Sequence, residues 1–508
     1  MAAEVRVDGE RLTPADVAAV ARDRVAVTLA PAARRRIRRS RLAVVRLLRG
    51  STLSYGVKTG LGQLEDVAIP AKDVLRLQEN LVRSHAAGVG PPMPTEWVRA
   101  SLVARANALA KGYSGVREEV VDLLLAMVNR RVHPVVPIHG SLGASGDLAP
   151  LAHSALVLIG EGRAEFRGRE RNGGDALKAA GLVAIRLESK EGLALVNGTS
   201  FMAGIGALLA VDAARLVKDA QVASSLSVEA LRGSSTPFDA RLAAVKRHPG
   251  QAVVAANLRK LLHGSEIIPS HRGPHKVQDA YTLRCIPQVL GAVRDALDRL
   301  TECVTIELNG ASDNPLIFPE GESLSGGNFH GQSLAMDLDH AALALTILAG
   351  FSERRIARLV DAHLSGLPPF LTPRSGLNSG LMIAQYTAAA LVGECQVLAH
   401  PASASSLPTS ANQEDWVNHG LTAARKAQAC LENALQVVSI EYLCAAQALD
   451  FIDLRPGKGP AAAKRVLRVV VPRLGEDRAL SGDIAATARL IRRGRLLSAA
   501  EKAVGTLA

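Results

Sequence analysis

Apolar residues recur every three to four positions along most of this 508-residue chain, a spacing that predicts amphipathic helices. The N-terminal part has predicted helices at about 28–48, 70–87, 97–109 and 115–130. Longer helices are predicted at about 192–232, 276–308, 330–365, 378–400 and 418–449, each bounded by Gly, Pro or Ser clusters. The pattern therefore predicts a mainly α-helical bundle.

Local signals refine this prediction near the N-terminus. Thr13 followed by Pro14 predicts a helix start, because Thr caps helices and Pro fits the first turn. A glycine-rich loop is expected at 51–66, and a small strand-and-turn insert at 164–188. A further helix is expected to begin after Asp147, whose carboxylate suits a helix N-terminus.

Composition favours a soluble cytoplasmic protein. The best apolar run, HAALALTILAGF at 340–351, is shorter than the roughly 18 residues that a membrane span needs. The first residues, MAAEVRVDGE, lack the basic and apolar segments of a signal peptide. The five cysteines are odd in number and never in CxxC spacing, so we expect buried thiols instead of disulfides or zinc ligands.

The net charge of +12 raises nucleic-acid binding as a remote alternative. Two arginine-rich stretches, at 34–41 and 489–495, could contact phosphates. Aromatic residues make up only 3% of the chain, which leaves few side chains for stacking on bases. We therefore expect arginine-rich exposed helix faces and no nucleic-acid partner.

Motifs for metals and nucleotides are incomplete. His133 and His139 lack the flanking ligands of a known metal motif, so no metal site is predicted. The GxG at Gly204 and Gly206 has no third glycine. A serine hydrolase stays formally open, although a GxSxG motif would need glycine where Asp147 stands.

The tripeptide Ala144-Ser145-Gly146 offers a different chemistry. In a compressed turn, the amide nitrogen of Gly146 can attack the carbonyl carbon of Ala144. Loss of one water from the new ring and one from Ser145 leaves 4-methylidene-imidazole-5-one (MIO). This ring is an electrophile, which none of the twenty side chains provides. The tripeptide alone is also common in ordinary turns.

Motifs along residues 50–450 resemble the histidine and aromatic amino acid ammonia-lyases, whose Ala-Ser-Gly cyclises into MIO. The signature is GSLGASGDLAPLAH at 140–153. Other matching segments, in chain order, are SYGVKTGLG (54–62), LQENLVRSHAAGVG (77–90), NALAKGYSGVR (107–117), EGLALVNGTS (191–200), VQDAYTLRCIPQVLGA (277–292), SDNPL (312–316), SGGNFHG (325–331), SGLPPFL (365–371) and LAHPASASSLPTSANQED (398–415). The resemblance implies a carbon–nitrogen lyase with MIO as its cofactor and no metal or nucleotide.

The resemblance also implies roles for individual residues. Tyr55 would take the β-proton of the substrate, and Tyr281 would lie near the electrophile. Arg284 would pair with the substrate carboxylate, since its planar guanidinium matches two oxygens. The other positions implied to hold the substrate or the prosthetic group are Asn197, Gln278, Asn328 and Phe329.

Two positions indicate the substrate. Ser84-His85 has the form found in histidine-specific members of the family, and Glu414 replaces the glutamine of phenylalanine-selective ones. Both can bind imidazole nitrogens, which are costly to bury unpaired. The predicted reaction is elimination of ammonia from L-histidine to give trans-urocanate. Whether Tyr55 or Glu414 is the base stays open.

Several positions depart from the histidine-specific pattern. Lys58 replaces Asn and Leu61 replaces Phe in the glycine-rich loop, and Trp416 replaces His. Gly331-Gln332 is shared with aromatic lyases and aminomutases. A tyrosine or phenylalanine ammonia-lyase or 2,3-aminomutase is therefore the alternative.

The resemblance implies an L-aspartase-like architecture. An N-terminal domain, 1–190, would carry the prosthetic group, and residues 191–508 would form a long central bundle and C-terminal helices. The chain would form a homotetramer in which each active site draws residues from three subunits. Long alanine-rich helices with apolar faces are consistent with such an assembly.

Overall fold

The computed structural model describes residues 4–49, 59, 62, 66–271 and 277–508. The chain divides into two compact units. Unit 1 comprises Met1–Val211, Leu300–Asp339 and Pro401–Arg425. Unit 2 comprises Asp212–Arg299, His340–His400 and Lys426–Ala508. The domain boundary at 190/191 stays a prediction.

Helices dominate the described residues, as the apolar spacing predicts. The first eleven are α1 Pro14–Arg22, α2 Pro31–Arg49, α3 Val74–His85, α4 Thr95–Ala110, α5 Glu118–Arg130, α6 Leu148–Leu158, α7 Gly173–Ala179, α8 Glu191–Val196, α9 Ser200–Ala230, α10 Ala240–Lys246 and α11 Pro249–Leu261. The others are α12 Ile267–Ser270, α13 Tyr281–Arg284, α14 Ile286–Leu308, α15 Gln332–Val360, α16 Ala362–Ser365, α17 Met382–Leu398, α18 Gly420–Leu449, α19 Lys458–Val470, α20 Leu480–Arg492 and α21 Arg495–Val504. The division between the units falls within α9, α14, α15 and α18.

Short strands occur in unit 1. They are β1 Glu4–Val7, β2 Ala26–Leu29, β3 Val89–Pro92, β4 Val132–Pro134, β5 Pro137–His139, β6 Arg163–Phe166, β7 Arg169–Asn172, β8 Leu316–Ile317 and β9 Ser323–Leu324. β1 and β2 pair in parallel, while β3 pairs with β5 and β8 with β9 in antiparallel fashion. β4, β6 and β7 form an antiparallel sheet, in which Glu165 lies opposite His133 and Glu170.

The start of α1 confirms the predicted cap. The Thr13 hydroxyl accepts the Asp16 N–H, and the Asp16 carboxylate accepts the Thr13 N–H, each at 3.1 Å. This reciprocal capping box satisfies two donors that the first helical turn leaves unpaired.

Several elements differ from the predicted pattern, and the helix expected at 330–365 is divided at Asp361 into α15 and α16. The helix expected at 192–232 is broken between α8 and α9, and the one expected at 276–308 is broken at Cys285. The insert at 164–188 contains a hairpin, as predicted, but also the short helix α7. Helices α10, α11 and α19–α21 lie in segments for which the pattern predicted no element.

The apolar residues of the longest helices lie mainly inside the protein. By length and hydropathy, α9 and α15 could each cross a membrane, but 78% and 61% of their most apolar windows are buried. The apolar run at 340–351 belongs to α15. Burial of this surface is the principal source of stability for such a bundle. Four of the five free thiols, those of Cys303, Cys395, Cys430 and Cys444, are also buried.

A buried ion pair joins three helices of unit 2. The Arg355 guanidinium of α15 donates to both carboxylate oxygens of Glu441 on α18, at 2.6 and 2.8 Å, and neither side chain is exposed. The hydroxyls of Ser227 on α9 and Ser352 on α15 donate to the same carboxylate, at 2.7 and 2.5 Å. Four donors thus replace the water that Glu441 loses on folding.

Replacement of Glu441 tests this network. Glu441→Gln leaves the buried Arg355 charge uncompensated, so we expect the free energy of unfolding to fall by about 3–5 kcal/mol. Urea denaturation followed by circular dichroism measures the change. The exposed ion pair of Arg492 and Glu432 provides the control, because Glu432→Gln should cost less than about 1 kcal/mol. Equal effects of the two substitutions would contradict this account.

Candidate active site

Residues 143–147 form a tight turn in unit 1. Ser145 has φ +50° and Gly146 has φ +80°, both in the left-handed region. The Gly146 N–H points to the Gly143 carbonyl oxygen at a long 3.3 Å. The turn is therefore tight, with two consecutive residues in the left-handed region.

Gly198 holds the turn from the side of the α8–α9 break. Its N–H donates to the Ser145 carbonyl at 3.0 Å, and its carbonyl accepts the Asp147 N–H at 2.7 Å. A Cβ on Gly146 would lie 2.3 Å from the Gly198 carbonyl oxygen. The break between α8 and α9 thus exposes the main-chain groups that bind the tripeptide.

Asp147 has a different partner from the one expected. It precedes α6, but its side chain does not cap that helix. Instead, its carboxylate accepts the N–H groups of Phe201 and Met202, at 2.8 and 2.9 Å, in the first turn of α9. Burial raises the pKa of Asp147 to about 7, against the effect of these donors. Asp147 thus fixes the end of the tripeptide to the start of α9.

Asn418 and His419 hold the other end of the turn. The Asn418 amide donates to the Gly143 carbonyl at 3.4 Å, and the His419 N–H donates to the Leu142 carbonyl at 2.9 Å. Asn418 is fully buried. Sequence reasoning missed both residues, since the quoted motif ends at Asp415.

Asn197 is held by buried charged residues. Its amide nitrogen donates to the Asp313 carboxylate and to the Asn314 carbonyl, each at 3.0 Å. The Lys190 ammonium pairs with Asp313 at 2.7 Å, and buried Arg105 donates to the Ala194 carbonyl. The Asn197 carbonyl oxygen is buried and has no hydrogen-bond partner among the described residues. It is therefore available to accept a hydrogen bond from a bound group.

His85 lies at the end of α3 with one ring nitrogen fixed. Nδ1 is 2.9 Å from the Leu81 carbonyl, which can only accept, so Nδ1 carries the proton. Burial lowers the pKa of His85, while the Leu81 carbonyl and the Glu414 carboxylate oppose this shift. At neutral pH the ring is thus uncharged, with the Nε2 lone pair free to accept.

Glu414 closes a strained loop in unit 1. Its N–H and carbonyl both bond to Thr409, at 3.3 and 2.9 Å. Three of the four residues between them, Ser410, Ala411 and Asn412, have φ values of 51°, 53° and 68°. Such a left-handed run costs of order 1–2 kcal/mol per residue. One carboxylate oxygen of Glu414 is buried without a hydrogen-bond partner among the described residues.

Gln278, Tyr281 and Arg284 lie in unit 2. The Arg284 guanidinium stacks on the Tyr281 ring at 4.7 Å, and its Nε is buried without a hydrogen-bond partner within the described chain. Gln278 and Arg284 line a cavity of about 920 Å³. Other polar residues that line it, which the sequence did not indicate, are Arg232, Ser234, Thr236, His271, Asp279 and Gln288.

Two departures from the histidine-specific pattern contact each other. The Trp416 indole donates to the Gln332 side-chain oxygen at 3.3 Å. His330 Nε2 lies 3.4 Å from the Trp416 carbonyl. Asn328 and Phe329 precede this contact, with Asn328 exposed and Phe329 partly buried. Gln332 and Trp416, which both depart from the histidine-specific pattern, are therefore linked by a hydrogen bond.

Tyr55, Lys58 and Leu61 lie outside the described residues. Within 4–49, 59, 62, 66–271 and 277–508, no group of three or more His, Cys, Asp or Glu could hold a metal ion.

Much of the basic stretch at 34–41 is paired within unit 1. Arg34 forms two hydrogen bonds with the Asp122 carboxylate, both at 2.7 Å. Arg38 pairs with Glu118, and Arg41 with Glu188. These contacts occupy cations that phosphate binding would need.

Comparison with known proteins identifies the family. The model of the aromatic amino acid lyase family matches residues 12–469. The chain belongs to this family. Members depend in general on MIO. The predicted enzyme class and mainly α-helical fold are confirmed by the family match and its relatives.

The similar proteins include histidine ammonia-lyases and a tyrosine aminomutase. Histidine ammonia-lyase of Caldanaerobacter subterraneus is 52% identical over 97% of both chains, and that of Anaeromyxobacter sp. (strain K) is 53% identical over 96% of this chain and 99% of its own. Among solved structures, tyrosine aminomutase of Streptomyces globisporus has a TM-score of 0.95 at 39% identity, covering 99% of this chain and 100% of its own. Histidine ammonia-lyase of Trypanosoma cruzi has a TM-score of 0.92, also at 39% identity, covering 99% and 96%.

Replacement of Gly198 tests the support of the turn. In Gly198→Ala the new Cβ would lie 2.4 Å from the Ser312 carbonyl oxygen and 2.6 Å from Arg105, at φ +135°. We expect the free energy of unfolding, measured by urea denaturation, to fall by more than about 3 kcal/mol. Gly168→Ala is the matched control: its φ is +73° but no atom lies within 4 Å, so it should cost about 1–2 kcal/mol. A Gly198 variant as stable as the control would refute this role.

Proposed function

We propose that this protein eliminates ammonia from L-histidine to give trans-urocanate. The observation that carries this proposal is that His85 and Glu414, both in unit 1, each present a polar atom without a hydrogen-bond partner among the described residues, and that the Glu414 carboxylate raises the pKa of His85 against the effect of burial. These free polar atoms, His85 Nε2 and one Glu414 oxygen, are both acceptors and suit the two N–H groups of a protonated substrate imidazole. Relatives of about 50% identity that bear the name histidine ammonia-lyase support the same substrate.

The substrate ring would bind between these two groups. Because both free atoms are acceptors, the substrate imidazole would bind in its protonated form. The Glu414 carboxylate would accept one ring N–H, and His85 Nε2 would accept the other. A benzene ring would leave both atoms unpaired, at a cost of about 1–3 kcal/mol each. This difference favours histidine over phenylalanine.

The amino acid end of the substrate would bind to charged and polar groups. Arg284 would pair with the carboxylate in bidentate fashion, and its stacking on Tyr281 fixes the plane of the guanidinium. Gln278 would contribute to the same cavity. Asn328 and Phe329 would line the pocket.

The turn at 143–147 fits an MIO group formed from Ala144, Ser145 and Gly146. The two consecutive left-handed residues of this turn, Ser145 and Gly146, support this fit. When formed, the group would supply the electrophile that makes the substrate amine a better leaving group. Asn197 would accept an N–H of the substrate amine through its free carbonyl oxygen. Tyr55, or alternatively Glu414, would take the β-proton.

A tyrosine 2,3-aminomutase is the second candidate, favoured by the TM-score of 0.95 to a structure named tyrosine aminomutase. The linked residues Gln332 and Trp416 leave this candidate open. A homotetramer with shared active sites and a cytoplasmic location also belong to the proposal.

Replacement of Ser145 tests the prosthetic group. Ser145→Ala removes the hydroxyl whose loss creates the exocyclic double bond, so we expect deamination of histidine to fall to background while the circular dichroism spectrum is retained. Intact-mass measurement should show that the wild-type chain has lost two waters. The variant should not show loss of the water that derives from the Ser145 hydroxyl. Wild-type turnover by the variant would exclude the prosthetic group.

Replacement of Ser84-His85 by Phe-Leu tests the imidazole site. Loss of the His85 partner should lower kcat/KM for histidine by about 10²-fold or more, because one buried ring nitrogen is left unpaired. Activity on phenylalanine should stay weak until Glu414→Gln is added, since the carboxylate would face an apolar ring. Glu414→Gln alone is the control for the second change. Retention of histidine activity in the Phe-Leu variant would contradict the site.

A further inference from the structure

His153 of α6 makes an unusual contact with the turn that follows α3. Its Nε2 accepts the Gly88 N–H at 3.1 Å. Because Nε2 accepts, the ring is neutral with its proton on Nδ1. Burial lowers the pKa of His153, which keeps Nε2 free of a proton at neutral pH.

Gly88 is enclosed on two sides in unit 1. A Cβ at this position would lie 3.0 Å from the His139 carbonyl oxygen and 3.1 Å from His153 Nε2. Gly140 packs on it so closely that a Cβ there would lie 3.0 Å from the Gly88 Cα. The next residue, Val89, pairs with His139 in the β3–β5 ladder. Position 88 is therefore closely packed on these sides, and a side chain there would require its neighbours to move.

These contacts connect His85, which would bind the substrate ring, with the tripeptide Ala144-Ser145-Gly146. Gly88 follows His85 by a short turn, in which the Ala87 N–H donates to the His85 carbonyl at 2.9 Å. Gly140 precedes the turn that contains Ala144, and His153 lies on the helix that follows it. The Gly88–His153 hydrogen bond thus joins the backbone that carries His85 to the helix after the tripeptide, and the packing of Gly140 on Gly88 joins it to the segment before the tripeptide.

We propose that His153 is a positioning residue for recognition of the substrate imidazole: by accepting the Gly88 N–H, it fixes the His85 ring relative to the turn at 143–147. This inference rests on the proposed function, because His85 is the group that would contact the imidazole. His153 itself does not touch the substrate. Its loss should weaken ring recognition while leaving the tripeptide and the carboxylate site unchanged.

Three variants separate positioning from general stability. His153→Leu removes the acceptor, whereas His153→Gln keeps an acceptor at similar reach. Ser154→Ala is the matched control, because its hydroxyl donates to Pro150 within α6 and does not contact Gly88. The readouts are KM and kcat for L-histidine, and the Kd values of imidazolepropionate and 3-phenylpropionate by calorimetry. The second ligand has the same carboxylate but no ring nitrogen.

For His153→Leu we expect KM for histidine and Kd for imidazolepropionate to rise by about ten-fold, the effect of losing one well-placed hydrogen bond. Its kcat and the Kd of 3-phenylpropionate should stay within about two-fold of wild type, because the substitution affects only binding of the imidazole ring. His153→Gln should recover most of the loss, and Ser154→Ala should behave as wild type. If His153→Leu does not fold, His153→Phe, which keeps a ring but has no acceptor, takes its place and must show the same selective loss.

Three outcomes would overturn the inference. They are unchanged KM and Kd in His153→Leu, equal weakening of both ligands, and failure of His153→Gln to recover. A wild-type protein without activity on histidine would instead refute the proposed function, so the two failures are distinguishable.

Discussion

The clamp of main-chain hydrogen bonds between Gly198 and residues 145–147 is the constraint on which the rest of the site depends. Ser145 occupies the left-handed region, which costs a non-glycine residue of order 1–3 kcal/mol and persists only where the surroundings impose it. Gly198 bonds the turn at the Ser145 carbonyl and the Asp147 N–H. Asp147 then secures the same segment to the first turn of α9.

Buried charged residues of unit 1 support this clamp. A separate buried network joins helices of unit 2. Asp313 receives the Lys190 ammonium and the Asn197 amide, so that the Asn197 carbonyl oxygen is left as the free end. Glu441 in unit 2 likewise accepts from Arg355 and two serines. Such networks are costly to desolvate, and their benefit lies in fixing one arrangement of polar atoms.

Most helices could be predicted from the sequence, because their apolar spacing reflects burial on one face. The break at 197–199 could not, since apolar residues continue on both sides of it, and the break exists because Gly198 bonds to a turn far away in sequence. The sequence likewise predicts that the Asp147 carboxylate lies at the start of the following helix, and only the tertiary structure shows that it binds the first turn of α9. The roles of Asn418 and His153 depend on hydrogen bonds to residues distant in sequence, which local patterns do not encode.

The candidate site, like the fold, could be predicted only in part from the sequence. The resemblance indicated His85, Glu414, Arg284 and the tripeptide as residue types at motif positions, but it could not indicate which atoms are free. The structure adds that His85 presents Nε2 and that one oxygen each of Asn197 and Glu414 has no hydrogen-bond partner in the described part of the chain. These free atoms give the assignment of an imidazole substrate its physical basis.

Initial rates of the wild-type protein on L-histidine, L-tyrosine and L-phenylalanine, with each product identified by NMR, test the central claim most directly. The account predicts that histidine reacts fastest and yields urocanate and ammonia. Faster reaction of tyrosine or phenylalanine, or a β-amino acid as the main product, would contradict it.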